Sequence, residues 1–379
     1  MIKVLDINLD RKVFEPGSAV ETRMIEYGKL FEELHILTLT KSSMKFKDKQ
    51  IAPNVWVYST NSFSRWFYVF DAIRMGKKIV FDKKFVRGRS VISAQDPFET
   101  GYIGLRIKNK WRIPLFIQLH TDPFSPFFTG FINFLRKRIA RSVLKKADGL
   151  RVVSESLGQA IQKKFSYDSN RMTVLPIYVE RSRIENASVK FDLHSRFGWH
   201  FILLAVSRLT PEKNIPMMLE VLKKLVVLFP DTGLVIVGDG PDMNSLKLKA
   251  KSLQLENNVA FVGWQEDLAS YYKTANLFIQ TSNFEGYGLS LIEAGISGLP
   301  VVTTAVGVAN DLDNGKDAYV CPVGDSEYMF KAVYDLLENN AKRENLKLNM
   351  KRVLEAKLLT ETDYMERYKT MVEKASKIS

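Results

Sequence analysis

Two glutamates, Glu285 and Glu293, stand eight positions apart in the stretch NFEGYGLSLIEAGISGLP (283–300). The glycines at 286 and 288 predict a tight turn around Glu285, and a helical pattern then carries Glu293 roughly 7 Å along the helix axis. The start of a helix presents unpaired N–H groups and a partial positive charge, which bind anions. Because carboxylates repel phosphates, we expect the two glutamates to bind hydroxyl groups on either side of a phosphate.

Arg208 and Lys213 supply full positive charge near the same place. Both follow the apolar run FILLAVS (201–207), and Glu285 follows the run NLFIQ (276–280). In open parallel sheets, ligands bind beyond the carboxyl ends of the strands. Two cations and a helix start suit a diphosphate, and hydroxyl-binding carboxylates suit rings at both of its ends. The pattern predicts a nucleotide-sugar site and leaves UDP, GDP and ADP open.

Short apolar runs that alternate with amphipathic stretches predict parallel sheets covered on both faces. The runs are IKVLDI (2–7), LHILTL (34–39), SVISA (90–94), PLFIQL (114–119), GLRVV (149–153), FILLAVS (201–207), GLVIVG (233–238), VAFVG (259–263), NLFIQ (276–280) and PVVTT (300–304). Two such sets predict an α/β protein with two doubly wound, Rossmann-like domains facing across a cleft. We place an N-terminal, acceptor-side domain at 1–186 and a C-terminal, nucleotide-sugar-binding domain at 187–360. A polar linker is expected at 181–192.

The motifs together resemble retaining family 4 glycosyltransferases of the GT-B fold, which take part in bacterial cell-surface glycan synthesis. EGYGLSLIEAGISGLPVV resembles the Glu-x7-Glu signature of that family. SRLTPEKN, VGDGPD and NGKDAYVCPVGD resemble three further turns of the second domain, and PLFIQLHTD and ADGLRVVSESL resemble stretches of the first. The resemblance covers about residues 1–340. It also implies that the last helix, 361–379, crosses back to the N-terminal domain.

The resemblance implies a role for each matching residue of the second domain. Arg208 and Lys213 would hold the donor diphosphate and stabilise the departing nucleotide. Glu293 would bind the ribose hydroxyls, and Glu285 would contact the donor sugar. Backbone amides of three residues would touch the sugar and phosphate: Tyr287, Gly288 and Leu289. The family implies no cofactor and no metal, and its donor is a nucleotide-diphosphate sugar such as a UDP- or GDP-sugar.

In the first domain, the resemblance places His120 near the reactive face of the donor and Gly17 where acceptor and phosphates approach. The loop around Gly17 reads EPGSA rather than the Gly-Gly pair of the family. IYVE (177–180) stands where an Asn-Gly-Val-Asp-like turn is common, and Asn310 replaces the usual acidic residue. Asp96 also follows an apolar run, so it is an acceptor-side residue or a turn cap.

Metal binding is not expected. Asp311-Leu312-Asp313 matches the short Asp-x-Asp metal motif of the other major glycosyltransferase fold, but it falls in a turn of the second sheet. The four histidines, at 35, 120, 194 and 200, lack metal-ligand spacing.

The net charge of +13 is concentrated in the first half. Residues 1–190 hold 34 Lys and Arg against 18 Asp and Glu, whereas residues 191–379 hold 21 against 24. Between Asp122 and Asp148 no residue is acidic, and six are basic: Arg136, Lys137, Arg138, Arg141, Lys145 and Lys146. On a helix at about 128–147 these flank one apolar stripe: Phe128, Phe131, Ile132, Leu135, Ile139 and Val143. A second basic run, 74–89, carries seven cations against Asp82.

This pattern is typical of a helix on an anionic membrane surface, or of a helix whose stripe faces the core. With one cysteine, no signal-peptide core and no apolar run long enough to span a bilayer, we expect a cytoplasmic protein, peripheral on the inner face of the membrane. Its acceptor would be a lipid-linked sugar or a growing glycan. The alternatives are a soluble small-molecule acceptor, a sugar phosphorylase or epimerase, a non-catalytic sugar-binding protein, and a basic nucleic-acid-binding protein. Nucleic acid is not expected, because no aromatic–basic platform motif is present.

Overall fold

The computed structural model describes residues 1–126 and 128–378, and the chain forms two compact units. The first unit comprises Met1–Pro176 together with the residues from Leu359 onward, and the second comprises Ile177–Leu358. From the sequence, we place the domain boundaries at 186/187 and 360/361, which are ten and two residues after the boundaries of these units. The assignment of acceptor and donor binding to the two domains remains a prediction. Residues 181–192, expected as a linker, lie within the second unit.

The first unit is built on one sheet. Its strands are β1 (Lys3–Asn8), β2 (Glu33–Thr38), β3 (Lys49–Ala52), β4 (Val55–Ser59), β5 (Ser90–Ala94), β6 (Leu115–Leu119), β7 (Gly149–Val152) and β8 (Met172–Val174). They are ordered β3-β4-β2-β1-β5-β6-β7-β8, and β3 with β4 is the antiparallel pair. Every residue of β5 and β6 is buried, as expected of parallel strands covered on both faces.

The second unit is built on a second, parallel sheet. Its strands are β9 (Phe201–Val206), β10 (Thr232–Val237), β11 (Val259–Gly263), β12 (Leu277–Gln280), β13 (Val301–Thr304) and β14 (Tyr319–Cys321). They are ordered β11-β10-β9-β12-β13-β14. Because β9 and β12 are neighbours, with Leu277 opposite Leu203, the loops that leave their carboxyl ends also lie side by side. The two sheets confirm the predicted pair of doubly wound domains.

Helices connect and cover these strands. They are α1 (Ala19–Gly28), α2 (Tyr68–Asp82), α3 (Glu99–Trp111), α4 (Phe131–Lys146), α5 (Glu155–Phe165), α6 (Arg181–Glu185), α7 (Leu193–Phe197), α8 (Ile215–Leu228), α9 (Met243–Ser252), α10 (Ala269–Thr274), α11 (Leu289–Ile296), α12 (Ser326–Glu338), α13 (Asn340–Lys357) and α14 (Glu361–Ser376). Within the described residues, none is long and apolar enough to cross a bilayer.

Helices α2, α3 and α4 form one layer, in which α2 contacts α3 and α3 contacts α4. Each follows a parallel strand of the first sheet, so all three begin at the carboxyl edge of that sheet. The starts of these helices therefore lie on the edge where ligands bind in doubly wound folds.

Helix α14 belongs to the first unit, where it contacts β5, β6 and β7. A buried arginine, Arg151, joins it to the end of β8. Its Nε donates to the carbonyl oxygen of Leu175 at 2.9 Å, and its Nη1 donates to Oε1 of Gln118 at 2.9 Å. The guanidinium lies 6.0 Å from the ring of Tyr368 in α14, whose hydroxyl accepts from Gln118 at 3.3 Å. One charged side chain thus contacts both segments at which the chain leaves and re-enters this unit.

Candidate active site

Arg208 lies in the loop after β9, which is shaped by close contact with the loop after β10. A Cβ atom on Gly238 would lie 1.9 Å from the carbonyl oxygen of Ser207, and one on Gly240 would lie 2.2 Å from that of Leu209. Only glycine allows the two backbones to approach this closely. The glycines of the VGDGPD motif therefore position the loop that carries the arginine.

The side chain of Arg208 is 76% exposed. Its recorded ion pair is with Glu212, with 3.4 Å between Nη2 and Oε1, and the same oxygen accepts a hydrogen bond from Thr210 at 2.7 Å. A long, exposed pair of this kind contributes little to stability. Arg208 can therefore exchange this partner for an anionic ligand at small cost.

Lys213 ends a short 3-10 turn, Pro211–Lys213, and Asn214 follows in the left-handed region with φ of 49°. The hydroxyl of Thr281, one residue after β12, donates to the carbonyl oxygens of both Lys213 and Asn214 at 3.0 Å. This double contact fixes the loop after β9 to the loop after β12.

The two fixed loops bring Lys213 and Glu285 together. The Nζ atom of Lys213 lies 2.6 Å from Oε1 of Glu285, and 12% and 11% of the two side chains are exposed. The hydroxyl of Ser282 donates to the same carboxylate oxygen at 2.7 Å. Burial strengthens the attraction between the charges, and the serine fixes the orientation of the carboxylate.

Gly288 directly precedes α11 with φ of 99°, a conformation that favours glycine. The carbonyl oxygen of the preceding residue, Tyr287, accepts from the N–H of Val308 at 2.8 Å, and a Cβ on Gly307 would lie 2.5 Å from that oxygen. Leu289, the first residue of α11, is 40% exposed. The predicted helix start is therefore present, backed by a second loop.

Glu293 lies in α11 and receives a hydrogen bond that the sequence did not indicate. The hydroxyl of Tyr272, in α10, donates to its Oε2 at 2.9 Å. Burial raises the pKa of the Glu293 carboxyl, and the tyrosine hydroxyl and the charge of Arg183 partly oppose that effect. A partly desolvated carboxylate held by one donor retains acceptor positions for the hydroxyls of a ligand.

A cavity of about 560 Å³ opens beside Glu293 within the second unit. Tyr272 and Leu289 also line it, as do Leu268 and Arg183. Its volume and mixed lining are typical of small-molecule sites. The stretch expected as a linker supplies one wall, and Lys273 holds it in place by donating to the carbonyl oxygen of residue 187 at 2.6 Å.

The two remaining predicted residues lie in the first unit. His120 directly follows β6, and its Nε2 is 3.3 Å from Oε1 of Gln95. Burial, with the charges of Arg151 and Arg23, lowers the pKa of His120 to about 4, so its imidazole is neutral near pH 7. Gly17 precedes α1 with φ of 75°, and its N–H donates to Oε2 of a glutamate, Glu21, at 2.7 Å.

The predicted residues of the second unit thus belong to one set of adjoining loops and the helix that leaves them. This set comprises Arg208, Lys213, Glu285, Tyr287, Gly288, Leu289 and Glu293. Sequence reasoning missed Ser282 and Tyr272. Ser282 stands two residues after β12 and could have been found by inspecting strand ends, whereas Tyr272 lies inside a helix and carries no such signal.

The Asp311–Asp313 motif shows no metal-site geometry. Oδ2 of Asp313 is 3.1 Å from Nζ of Lys316, and the backbone N–H of Asp313 donates to Oδ2 of Asp317 at 2.9 Å. Across residues 1–126 and 128–378, no group of three or more His, Cys, Asp or Glu side chains is placed to hold a metal ion.

The fold is that of a GT-B glycosyltransferase. The chain superposes on the crystal structure of Anabaena HepE in complex with UDP and glucose with a TM-score of 0.73 at 18% identity, over 98% of this chain and 99% of that one. The profile of the glycosyltransferase family 4 matches residues 32–183, and that of the glycosyl transferases group 1 matches residues 194–353.

Named relatives agree with these profiles. The chain is 30% identical over 343 residues to the N-acetyl-alpha-D-glucosaminyl L-malate synthase of Bacillus anthracis. The aligned region covers 87% of this chain and 85% of the relative. The chain is 26% identical over 323 residues to the alpha-monoglucosyldiacylglycerol synthase of Streptococcus pneumoniae, which covers 79% and 70%. The chain belongs to glycosyltransferase family 4.

Proposed function

We propose that this protein transfers a sugar from a nucleotide-diphosphate sugar to an acceptor presented at a membrane surface, without a metal and with retention of anomeric configuration. The observation that carries the donor half is the buried Lys213–Glu285 pair. It lies on the loops that also present Arg208 and the start of α11, next to the cavity that contains Glu293. The HepE complex with UDP and glucose supports this donor class.

In the proposed reaction, the bond between the anomeric carbon and the diphosphate oxygen breaks. The acceptor hydroxyl forms the new bond on the same face of the sugar and passes its proton to the departing diphosphate. Arg208, Lys213 and the N–H groups at the start of α11 stabilise the charge that develops there. Glu293 accepts from the ribose hydroxyls, and Glu285 accepts from a hydroxyl of the donor sugar.

For the first unit we propose two separate roles. Neutral His120 forms a hydrogen bond to the sugar at the reacting face, and Gly17 admits the acceptor because it carries no side chain. The Cβ position of Gly17 meets no atom within 4 Å, so space exists there. The low pKa of His120, about 4, makes it a hydrogen-bonding group rather than a charge at neutral pH.

Helix α4 supports the membrane half of the proposal. Its apolar stripe divides: Val143 is buried, whereas Phe131 is 76% exposed and Ile132 is 68% exposed. The core-facing interpretation therefore holds for the second half of the helix only. Arg136 pairs with Glu99 at 2.6 Å and Lys137 donates to a backbone oxygen. Arg138 and Arg141 remain exposed, although each lies about 6 Å from the centre of an aromatic ring. Exposed cations contribute about 1 kcal/mol each near an anionic leaflet.

The test combines binding and transfer. We expect co-sedimentation with anionic vesicles, weakened by salt, and none with neutral vesicles. Replacing Arg138 and Arg141, both exposed, with Ser should reduce binding while nucleotide binding survives. Transfer from a panel of UDP-, GDP- and ADP-sugars to acceptors embedded in vesicles should exceed transfer to soluble analogues. Failure to bind vesicles of either kind would exclude the membrane half.

A soluble acceptor is the second candidate. It is favoured by the N-acetyl-alpha-D-glucosaminyl L-malate synthase of Bacillus anthracis, whose name includes L-malate, a small hydroxyl compound. Transfer to small hydroxyl compounds at the same rate with and without vesicles would establish this alternative.

A further inference from the structure

The surface of the first unit carries an aromatic cluster that the donor site does not use. The cluster consists of Phe63, Trp66, Phe67 and Phe70, on the loop before α2 and its first turn. Trp66 is 92% exposed and Phe63 is 86% exposed, and the other two are 50% and 67% exposed. Single exposed apolar residues are ordinary, but four large exposed rings within eight residues mark an interaction surface.

The cluster is mounted on a fixed base. Tyr68, between its members, is buried, and its hydroxyl accepts from Arg11 at 3.4 Å. Ser62 is buried too, and its carbonyl oxygen accepts from the N–H of Ser42 at 2.9 Å. The rings are therefore presented to solvent by a segment held at both ends.

The aromatic cluster lies on the same edge as the exposed half of α4. Helices α2, α3 and α4 pack in series and all begin at the carboxyl edge of the first sheet. The start of α3 connects to that of α4, since the rings of Phe98 and Phe128 lie 6.0 Å apart. Phe131 and Ile132 open α4. Apolar side chains thus stand exposed at both ends of one row of helix starts.

The charge around the aromatic cluster fits an anionic surface. No acidic residue occurs from 49 to 70, and Arg65 is exposed within the cluster. Asp71 follows the aromatic cluster and pairs with Arg74 at 3.6 Å, and 76% of the Arg74 side chain remains exposed against 18% of the Asp71 side chain. Tryptophan and other aromatic rings beside cations are typical of the membrane–water interface, where the ring enters the headgroup region and the cation meets lipid phosphate.

We propose that the aromatic cluster inserts into the interface of an anionic bilayer and, with α4, docks the carboxyl edge of the first sheet onto the membrane. This inference rests on the proposed membrane acceptor and adds a second contact point. If α4 alone contacted the membrane, the first unit could rotate about the axis of that helix. A second contact away from that axis prevents the rotation. His120 follows β6 on this same edge, so the proposed docking brings lipid headgroups to the edge that carries His120.

The experiment measures vesicle partitioning and the fluorescence of Trp66. Phe63→Ser combined with Trp66→Ser should weaken partitioning into anionic vesicles at least about tenfold, because two rings no longer leave water. Phe81→Ser is the matched control. Phe81 is 68% exposed and lies in α2, eleven residues after Phe70 and therefore roughly 16 Å from it along the helix axis. Partitioning of this control should equal that of the unchanged protein.

Trp66→Phe provides the second readout. Lipids brominated along the acyl chain should quench the tryptophan emission of the unchanged protein, and this quenching should be largely lost in Trp66→Phe while partitioning is retained. The other tryptophans remain in that variant.

The outcomes separate the two proposals. If the unchanged protein partitions and the double variant partitions equally, the aromatic cluster is not an anchor and the membrane acceptor stands. If the unchanged protein does not partition, both fail. If instead light scattering shows a dimer without lipid that Trp66→Ser dissociates, the cluster binds a second copy of the chain and the lipid inference is overturned.

Discussion

Lys213 and Glu285 form a buried ion pair, with 2.6 Å between Nζ and Oε1, across two loops whose strands are neighbours. A bound diphosphate would compete with the carboxylate for the lysine. Glu285→Gln should therefore bind nucleotide diphosphates at least as tightly as the unchanged protein, because a negative charge leaves the site. Lys213→Ala should weaken that binding about ten- to a hundredfold, as expected for a charge-assisted contact.

Isothermal titration with UDP and GDP would measure both variants. Both variants should lose sugar transfer. Only Glu285→Gln should retain nucleotide binding while it loses turnover. Weaker nucleotide binding in both variants would mean that Glu285 maintains the conformation of the loop and does not act by binding the donor sugar. Lys213→Ala also leaves a buried carboxylate unpaired, so its melting temperature should be recorded.

Arg208→Ala should lower turnover about ten- to a hundredfold or more and leave the fold intact. The side chain is exposed, and its ion pair with Glu212 is long, so we expect a change in the free energy of unfolding of no more than about 0.5 kcal/mol. Arg352→Ala, at an exposed position in α13, is the matched control and should match the unchanged protein in both respects. Full activity of Arg208→Ala would remove this residue from the site.

Tyr272→Phe should weaken recognition of the ribose, because the hydroxyl that holds Glu293 is lost. We expect nucleotide affinity to fall about three- to tenfold, a typical effect of one hydrogen bond. Pyrophosphate, which has no ribose, should bind as before. The preference for ribose over 2′-deoxyribose should decrease, and we expect the same decrease in Glu293→Ala. An equal loss of pyrophosphate binding would assign Tyr272 a general structural role instead.

The product should keep the anomeric configuration of the donor, and transfer should continue in excess EDTA. Retention follows because the acceptor attacks the same face of the sugar in the proposed reaction. Activity in EDTA follows because two cations and a helix start stabilise the leaving diphosphate in the proposed site. Proton NMR of the product gives the anomeric coupling, and chelation followed by metal addition tests the second part. An inverted product, or activity lost in EDTA and restored by Mg²⁺ or Mn²⁺, would refute the mechanism.

Asp96 makes stability depend on pH. Burial raises its pKa to about 6, although the N–H of Phe98 donates to its Oδ1 at 2.7 Å. The folded state thus binds this proton more tightly than the unfolded state, where the pKa is about 3.9. Ionised Asp96 therefore destabilises the fold above pH 6, and this cost disappears as the pH falls below about 4.

Asp96→Asn should accordingly raise the free energy of unfolding at pH 8 by up to about 3 kcal/mol, since one pKa unit corresponds to 1.4 kcal/mol. The gain should vanish at pH 4. Asp231→Asn, at an exposed position, should show no such difference. Denaturant titrations at both pH values measure it, and an equal gain at pH 4 would contradict the assignment.

The sequence predicts the central strands well because parallel strands buried on both faces read as apolar runs. It misses β3 and β4, which lie at one edge of the first sheet, and also β8 and β14, which lie at the opposite edge of the first sheet and at an edge of the second. The residues of β4, VWVYS, alternate between buried and half-buried positions, and β3 contains no fully buried residue. Edge strands bury fewer side chains, so the apolar pattern weakens where the sheet ends.

In the site, strand ends predict which loops carry Arg208, Lys213 and Glu285, because the topology brings those ends together. The sequence does not predict pairings across long separations. Lys213 and Glu285 are 72 positions apart, and Tyr272 in α10 reaches Glu293 in α11 across 21 positions. Likewise, the periodicity of α4 identifies an apolar face but cannot tell which half of that face the core covers.

Arg151 contacts both the end of β8 and helix α14, and this has a consequence for synthesis on the ribosome. The strands of the first unit emerge early, but α14, with Tyr368, emerges only after the second unit. Until then the core face that α14 covers remains open, and the guanidinium of Arg151 lacks the rings that flank it. The second unit, residues 177–358, is contiguous and can fold as soon as it is made. The first unit therefore closes after the second unit can fold, and a chain that stops before residue 361 would expose that apolar face to chaperones and proteases.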